Sequence, residues 1–373
     1  MQLDKIIKLL PGFLAQGLAI EIRGNSGIGK TDMLRQMVHD LNKSEGSWGI
    51  GTHYAAMWGP QDPTGFFVFG KQNVKQLDGT MKEQLVSEFA TPTYLRADPG
   101  QEHEWMNEFK RGVMVLEEFD KANPEVKKSC APLILEGGMH GNYLHPGIGR
   151  VLLTNHANDG RQGSTKEQDF VISRKILLTA TQSVAGWVDW ATRHGVHPMF
   201  IAFAEEHVDV VFGGHLPEKQ GPFMNCRTLV AGSKAAVSGL MDNDGHILDD
   251  EAFHETMAGA FGGPGARDLV TFLKFKDEVP DWAEIVAKPD ACKVPGNPGG
   301  AMMAAHICAA NVDDKTVEPA VKYVRRLPKN IHIVFAKAAT RRNFRLTNSK
   351  AFVKWTSEAP ELVALITALG TAR

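Results

Sequence analysis

The sequence predicts an α/β fold: a five-stranded parallel sheet flanked by helices, followed by a mostly helical second half. Three observations predict it. From Leu18 to Ala180 short apolar runs alternate with helical patterns, as strands and crossover helices do in a parallel sheet. From Val184 to Lys274 the apolar residues instead recur at three- and four-residue intervals, the period of amphipathic helices. Between the first strand and the helix after it lies a glycine-rich turn, Gly24 to Thr31.

In chain order, the expected strands are LAIEIRG, THYAAMW, GVMVLEE, GRVLLTN and RKILLTA. The segments SVAGWVDWATRH, PMFIAFAEEHVDVV and CRTLVAGSKAAVSGLM are the helices that follow. PDACKVPGNPGG, residues 289–300, reads as a loop and a second boundary, after which AMMAAHICAANV resumes an apolar helix. Three units are therefore expected: an α/β domain over 1–182, a helical domain over 183–288 and a helical extension over 289–373.

Composition sets the frame. With 43% hydrophobic and 23% charged residues, the 373-residue chain can bury a core. A net charge of -2 argues against non-specific nucleic-acid binding by the molecule as a whole. Cys130, Cys226, Cys292 and Cys308 stand far apart without paired ligand spacing, which predicts buried thiols in a reducing compartment. The N-terminal MQLDKIIKLLPGFLAQG is broken by Lys5, Lys8 and Pro11, and no later run is long enough for a bilayer, so a cytoplasmic protein without membrane insertion is expected.

Gly24, Asn25, Ser26, Gly27, Ile28, Gly29, Lys30 and Thr31 fit G-x-x-x-x-G-K-[ST], with the extended LAIEIR before them and the helical TDMLRQMVHDL after them. Such glycines let successive N–H groups converge on phosphate oxygens at the positive end of the next helix. Lys30 supplies a cation to the β and γ phosphates, and Thr31 a hydroxyl to Mg²⁺. The pattern therefore predicts ATP and Mg²⁺ as ligands. A second strand, Val113 to Leu116, delivers Glu117 and Glu118 where it emerges. Either an acidic surface edge or a metal-and-water site fits that pair, and the phosphate loop upstream favours the second.

At these residues the chain resembles the AAA+ ATPases, in particular the MoxR-like group and its phage-encoded relatives. EEFDKANPEVKKSCAPLILEGG looks like that group's Walker B segment. The resemblance implies Glu117 as a metal ligand, Glu118 as the catalytic base and Asp120 as a helper at the nucleotide. The family has Asp at the first position, where Glu117 is one methylene longer. Asn155, closing GRVLLTN, matches the polar sensor that orients water near the γ-phosphate. Arg174 in VISRKILLT matches the arginine finger that serves a neighbouring subunit's nucleotide. Arg227 in FMNCRTLV matches the lid's sensor arginine, although Asn225 and Cys226 replace the family's Ser-Pro before it. For each of these three an ordinary structural role is the alternative: a turn Asn, a salt-bridged Arg, a helix-surface Arg. WGPQDPTGFF resembles the family's loop after the second strand, with Asp62 and Gly65 in matching places and no chemistry assigned.

The resemblance covers residues 18 to 240. It implies an AAA+ three-layer core with a helical lid, Mg-ATP hydrolysis at the interfaces of a homo-oligomeric, six-membered ring, and a client or adaptor protein, which in this family often carries a von Willebrand factor A domain. A nucleotide-gated scaffold with slow hydrolysis and a DNA-associated motor are the competing readings. The third draws on Lys322 to Lys354, a run with ten basic residues and no acid, which also fits an acidic partner, a neighbouring subunit or a solvated face. His194 and His197 lack a nearby Glu and a helical spacing, so a metal is not expected there; Trp187, Trp190, Phe200 and Phe203 read as core.

Overall fold

The computed structural model describes residues 1–46, 48–90, 111–140, 142–156, 165–214, 217, 220–242 and 244–371. The chain forms two compact units, Met1–Thr181 and Gln182–Arg373. The first is the expected α/β layer structure. Its strands are β1 (Ala19–Arg23), β2 (Trp48–Tyr54), β3 (Phe67–Lys75), β4 (Met81–Phe89), β5 (Arg111–Glu117), β6 (Gly138–Met139), β7 (Asn142–Tyr143), β8 (Ile148–Thr154) and β9 (Ile176–Thr179). Five of them make one parallel sheet in the order β2-β5-β8-β1-β9.

That order places β1 and β8 side by side at the centre, so the loops after β1, β5 and β8 open on one edge, where open α/β sheets bind ligands. The sheet's two faces are apolar for the reason periodicity requires. Ile20, Ile22, Val113, Val115, Val151 and Leu153 point to one side, against α1 (Leu3–Ala15) and α2 (Lys30–Ser44). Met114, Leu116 and Leu152 point to the other, against Phe119, Val126, Leu133 and Ile134.

Two elements differ from the sequence expectation. The second strand lies earlier than THYAAMW: it runs Trp48–Tyr54, and Ala55–Met57 is a 3-10 turn instead. Gly49 and Gly51 have only a weak local preference for strand, yet pairing with β5, buried from Gly112 to Glu117, overrides it. The second difference is an antiparallel hairpin, β3 with β4. Its second strand carries Met81, Leu85 and Phe89, a spacing of four that satisfies a helical face. A spacing of four is also an even number, so in a strand the same three residues share one face, and periodicity alone does not separate the two.

The second unit is helical, and one buried apolar cluster runs through it from Trp187 to Leu362. Trp187, Phe200 and Phe203 belong to that core, as read from their spacing. PMFIAFAEEHVDVV divides into two helices, Pro198–Glu206 and Val208–Phe212, with the break at His207. The helix expected after the loop at 289–300 starts earlier, at Pro298, and runs to Asn311; Cys292, in the loop before it, is buried in the same cluster. Among the described residues, no helix is long and apolar enough to cross a membrane.

Candidate active site

The glycine-rich turn is built around two backbone demands. A side chain at Gly24 would put its Cβ 2.8 Å from the Ala180 carbonyl oxygen and 2.8 Å from Ile28 Cδ1, so only glycine lets the end of β1 pass there. Gly29 holds φ +91° as it caps α2, a left-handed conformation that glycine adopts without steric cost. The helix thus begins at Lys30 and presents its N-terminal end at the turn, the arrangement that attracts phosphate.

Lys30 lies across this turn. Its Nζ donates to the Gly24 carbonyl at 2.7 Å, the Asn25 carbonyl at 3.0 Å and Asn155 Oδ1 at 3.0 Å. One residue further, the Thr31 hydroxyl donates to Glu117 Oε1. Lys30, Thr31, Glu117 and Asn155, expected from three separate motifs in three chain segments, therefore meet at the ends of β1, β5 and β8. The Thr31 hydroxyl and the Glu117 carboxylate form a pair of hard oxygen donors on adjacent elements, the donor type that Mg²⁺ takes while it keeps waters and phosphate oxygens. The extra methylene of Glu117 does not keep it from Thr31.

Glu118 and Asp120 are held differently. Glu118 sits at φ +52°, ψ +35°, a left-handed backbone that a residue with a side chain enters at a cost of about 1–2 kcal/mol. Its carboxylate pairs with Lys121 Nζ at 2.8 Å. Asp120 is 7% exposed. Burial raises its carboxyl above the ordinary range, against the backbone N–H of Asn155 and the cations Lys121 and Lys127. The Asp120 carbonyl is tied down: Lys127 Nζ donates to it at 2.8 Å and Thr165 N at 2.9 Å.

Arg174 stands apart from that cluster, on the surface. Its guanidinium lies 5.2 Å over the Phe170 ring and donates to the Phe170 carbonyl at 3.1 Å. Along the chain to either side of it, Phe170, Ile172, Ile176 and Leu177 are exposed apolar side chains. Arg227 belongs to the second unit, exposed in the first turn of a helix over Cys226–Val237. The departure from Ser-Pro has a local reason, because Asn225 caps that helix through a capping box with Thr228. Asp62 accepts from Gly59 N at 2.7 Å and so closes its own turn.

The remaining candidates resolve to structure. His194 stacks on Trp190, and His197 caps Pro198–Glu206. Among the described residues no three His, Cys, Asp or Glu side chains are grouped to hold a metal. The four cysteines are free and buried, and burial pushes their thiols up. In the basic run, Tyr323, Phe335, Phe352 and Trp355 are core residues, and Phe344 is half-buried. Several of its cations are engaged: Lys322 with Glu318, Arg325 with Glu358, Arg341 with Asp189.

Sequence motifs missed a charged group under the site: Glu21, Lys127, Glu167 and Lys175. One signal was present, an acid in the middle of the apolar strand AIEIR.

No family model and no curated protein matches the chain. Among solved structures it is similar to a protein from Cytophaga hutchinsonii assigned as an ATPase, at 12% identity and TM-score 0.31, covering 91% of this chain and 81% of that one. It is similar also to NtrX from Brucella abortus in complex with ADP, at 12% identity and TM-score 0.31, covering 97% and 68%. The ATP complex of the same protein gives 14% identity and TM-score 0.30, covering 98% and 68%. Likeness this loose leaves the reading of the site to its own geometry.

Proposed function

We propose that the chain is an ATPase of the AAA+ type, close to the MoxR-like group, that hydrolyses Mg-ATP between subunits of a ring, six in number, to remodel or assemble a client protein. One observation carries the reading: Lys30, Thr31, Glu117 and Asn155 come together at the ends of three adjacent parallel strands, beside a glycine turn that opens a helix.

The turn's amides and Lys30 bind the triphosphate. Thr31 and Glu117 would hold Mg²⁺, which when bound neutralises phosphate charge. Asn155 orients the attacking water, and Glu118 takes its proton once released from Lys121. Arg174, flanked along the chain by exposed apolar side chains, serves the nucleotide of the next subunit and stabilises charge on the transferring phosphoryl group. Arg227 acts from the second unit as the lid's sensor. The client, or an adaptor with a von Willebrand factor A domain, is a separate chain. Ring assembly and client rest on the sequence resemblance.

Lys30→Ala and Glu118→Gln test the core of this. Lys30→Ala is expected to lose ATP binding; Glu118→Gln is expected to retain it and to lose turnover by about 10²–10⁴-fold, the usual worth of a general base. ATP hydrolysis by Glu118→Gln at the wild-type rate would sink the assignment. The Glu118–Lys121 ion pair favours a second reading, in which hydrolysis is slow and occupancy by ATP sets assembly. In that case Glu118→Gln still assembles and still engages its client.

A further inference from the structure

A buried acid on the central strand reaches three of the segments that build the site. Glu21 lies in the middle of β1, between β8 and β9, and its side chain is 1% exposed. Its Oε1 accepts from Arg23 at 2.8 and 3.1 Å and from the Thr154 hydroxyl at 2.7 Å. Its Oε2 pairs with Lys175 Nζ at 2.7 Å. Arg23 directly precedes the glycine turn, Thr154 directly precedes Asn155, and Lys175 directly follows Arg174. Lys175, itself 2% exposed, also pairs with Glu167 and stands 5.2 Å over the ring of Phe119, the residue after Glu118.

Such a group is an expensive way to fill a sheet. Taking a carboxylate and an ammonium out of water costs several kcal/mol per ion, and a well-packed apolar pair of similar volume is often as stable or more so. Burial pushes the Glu21 carboxyl up, but Lys175, the Thr154 hydroxyl and Arg23 outweigh burial and hold it below its ordinary range. The charge is therefore kept ionised, and its bonds are directional where an Ile at the same place would only fill space. Direction is what a composite site needs, because reacting groups misplaced by about 1 Å lose on the order of 10² in rate.

We propose that Glu21 is a positioning residue for hydrolysis, which sets Asn155 and Arg174 against the phosphate-binding turn through Thr154, Lys175 and Arg23. The proposal rests on the ATPase reading above. The two oxygens serve different ends. Oε1 holds the base of the turn and the strand of Asn155, which act on the chain's own nucleotide. Oε2 holds the segment that presents Arg174 to the neighbour's. Binding of the triphosphate, which uses the turn's amides and Lys30, does not pass through Glu21.

The test compares full-length wild type with Glu21→Gln, with the charge-free pair Glu21→Leu/Lys175→Met to which Glu167→Gln is added because Lys175 pairs with that acid too, and with Thr154→Val, which leaves every charge paired. ATP dissociation constant, kcat and thermal midpoint are measured for each. All three variants are expected to bind ATP within about threefold of wild type, with kcat lowered about tenfold or more for the Glu21 variants and severalfold for Thr154→Val. The charge-free pair should recover the thermal midpoint that Glu21→Gln loses, without recovering kcat. Recovery of kcat together with the midpoint would show that Glu21 only stabilises the sheet and would overturn the proposal, as would unchanged kcat in Thr154→Val. A wild-type protein that hydrolyses no ATP would overturn the ATPase reading instead, and the proposal with it.

Discussion

Lys121 holds the carboxylate of Glu118 at 2.8 Å, and both sit on a turn whose backbone is already strained at Glu118. Side chains of both are partly exposed, so the pair itself contributes little to stability, about 0–1 kcal/mol. Its consequence is for chemistry, since a carboxylate held by an ammonium must leave it before it can reach the attacking water. Lys121→Met should therefore raise kcat severalfold while ATP affinity and thermal midpoint stay near wild type. A fall in kcat would mean instead that Lys121 aids the base. Residues such as Lys30 and Glu118 were legible in the sequence because each sits in a local pattern whose chemistry is self-contained. Glu21 was not, because its meaning lies in Thr154 and Lys175, which only the sheet order brings beside it.

Helix Pro198–Glu206 is buried along nearly its whole length, and its first turn depends on one titratable group. His197 Nδ1 accepts from Met199 N, while the His197 backbone N–H donates to Ser233 Oγ at 2.9 Å. Burial, with Arg342 adding to it and Asp242 opposing, pushes the His197 pKa down to about 4. An unfolded histidine titrates near pH 6.5, so between about 6.5 and 4 the unfolded chain takes up a proton that the folded one refuses. The stabilisation is fully present above pH 6.5 and is lost as the solution is acidified through that window, on the order of 3 kcal/mol in all. His197→Asn keeps a capping acceptor and removes the titration. Urea midpoints at pH 7.5 and pH 5 should then differ less in the variant than in wild type; an equal loss in both would refute this. The helices themselves were legible because their apolar residues follow the 3.6-residue period. Where two periods coincide, as in Met81, Leu85 and Phe89, the sequence underdetermined the element, and pairing with β3 decided it.

At the scale of the whole molecule the decisive feature is that Arg174 does not join the cluster formed by Lys30, Thr31, Glu117 and Asn155. It is held on the surface against Phe170, beside Ile172, Ile176 and Leu177, all exposed. Exposed apolar side chains that flank an arginine along the chain are what a contact between copies of a chain would bury. In a head-to-tail ring every subunit gives one such face and receives one, so a site and its arginine come from different copies. Complementation follows. Arg174→Ala retains a complete turn, Lys30 and Glu118 but offers its neighbour nothing, whereas Lys30→Ala lacks its own site and still offers Arg174. Each variant alone should show no turnover. Mixed in equal amounts and allowed to exchange subunits, half of the subunits hold an intact site and half of their neighbours supply the arginine, so activity should return to about a quarter of wild type. Mixing that restores nothing, with exchange confirmed by labelled subunits, would place Arg174 outside the neighbour's site. The strands were legible from their patterning and their order in the sheet only from the family resemblance; which copy completes the site is a property of surfaces, and no single chain's periodicity encodes it.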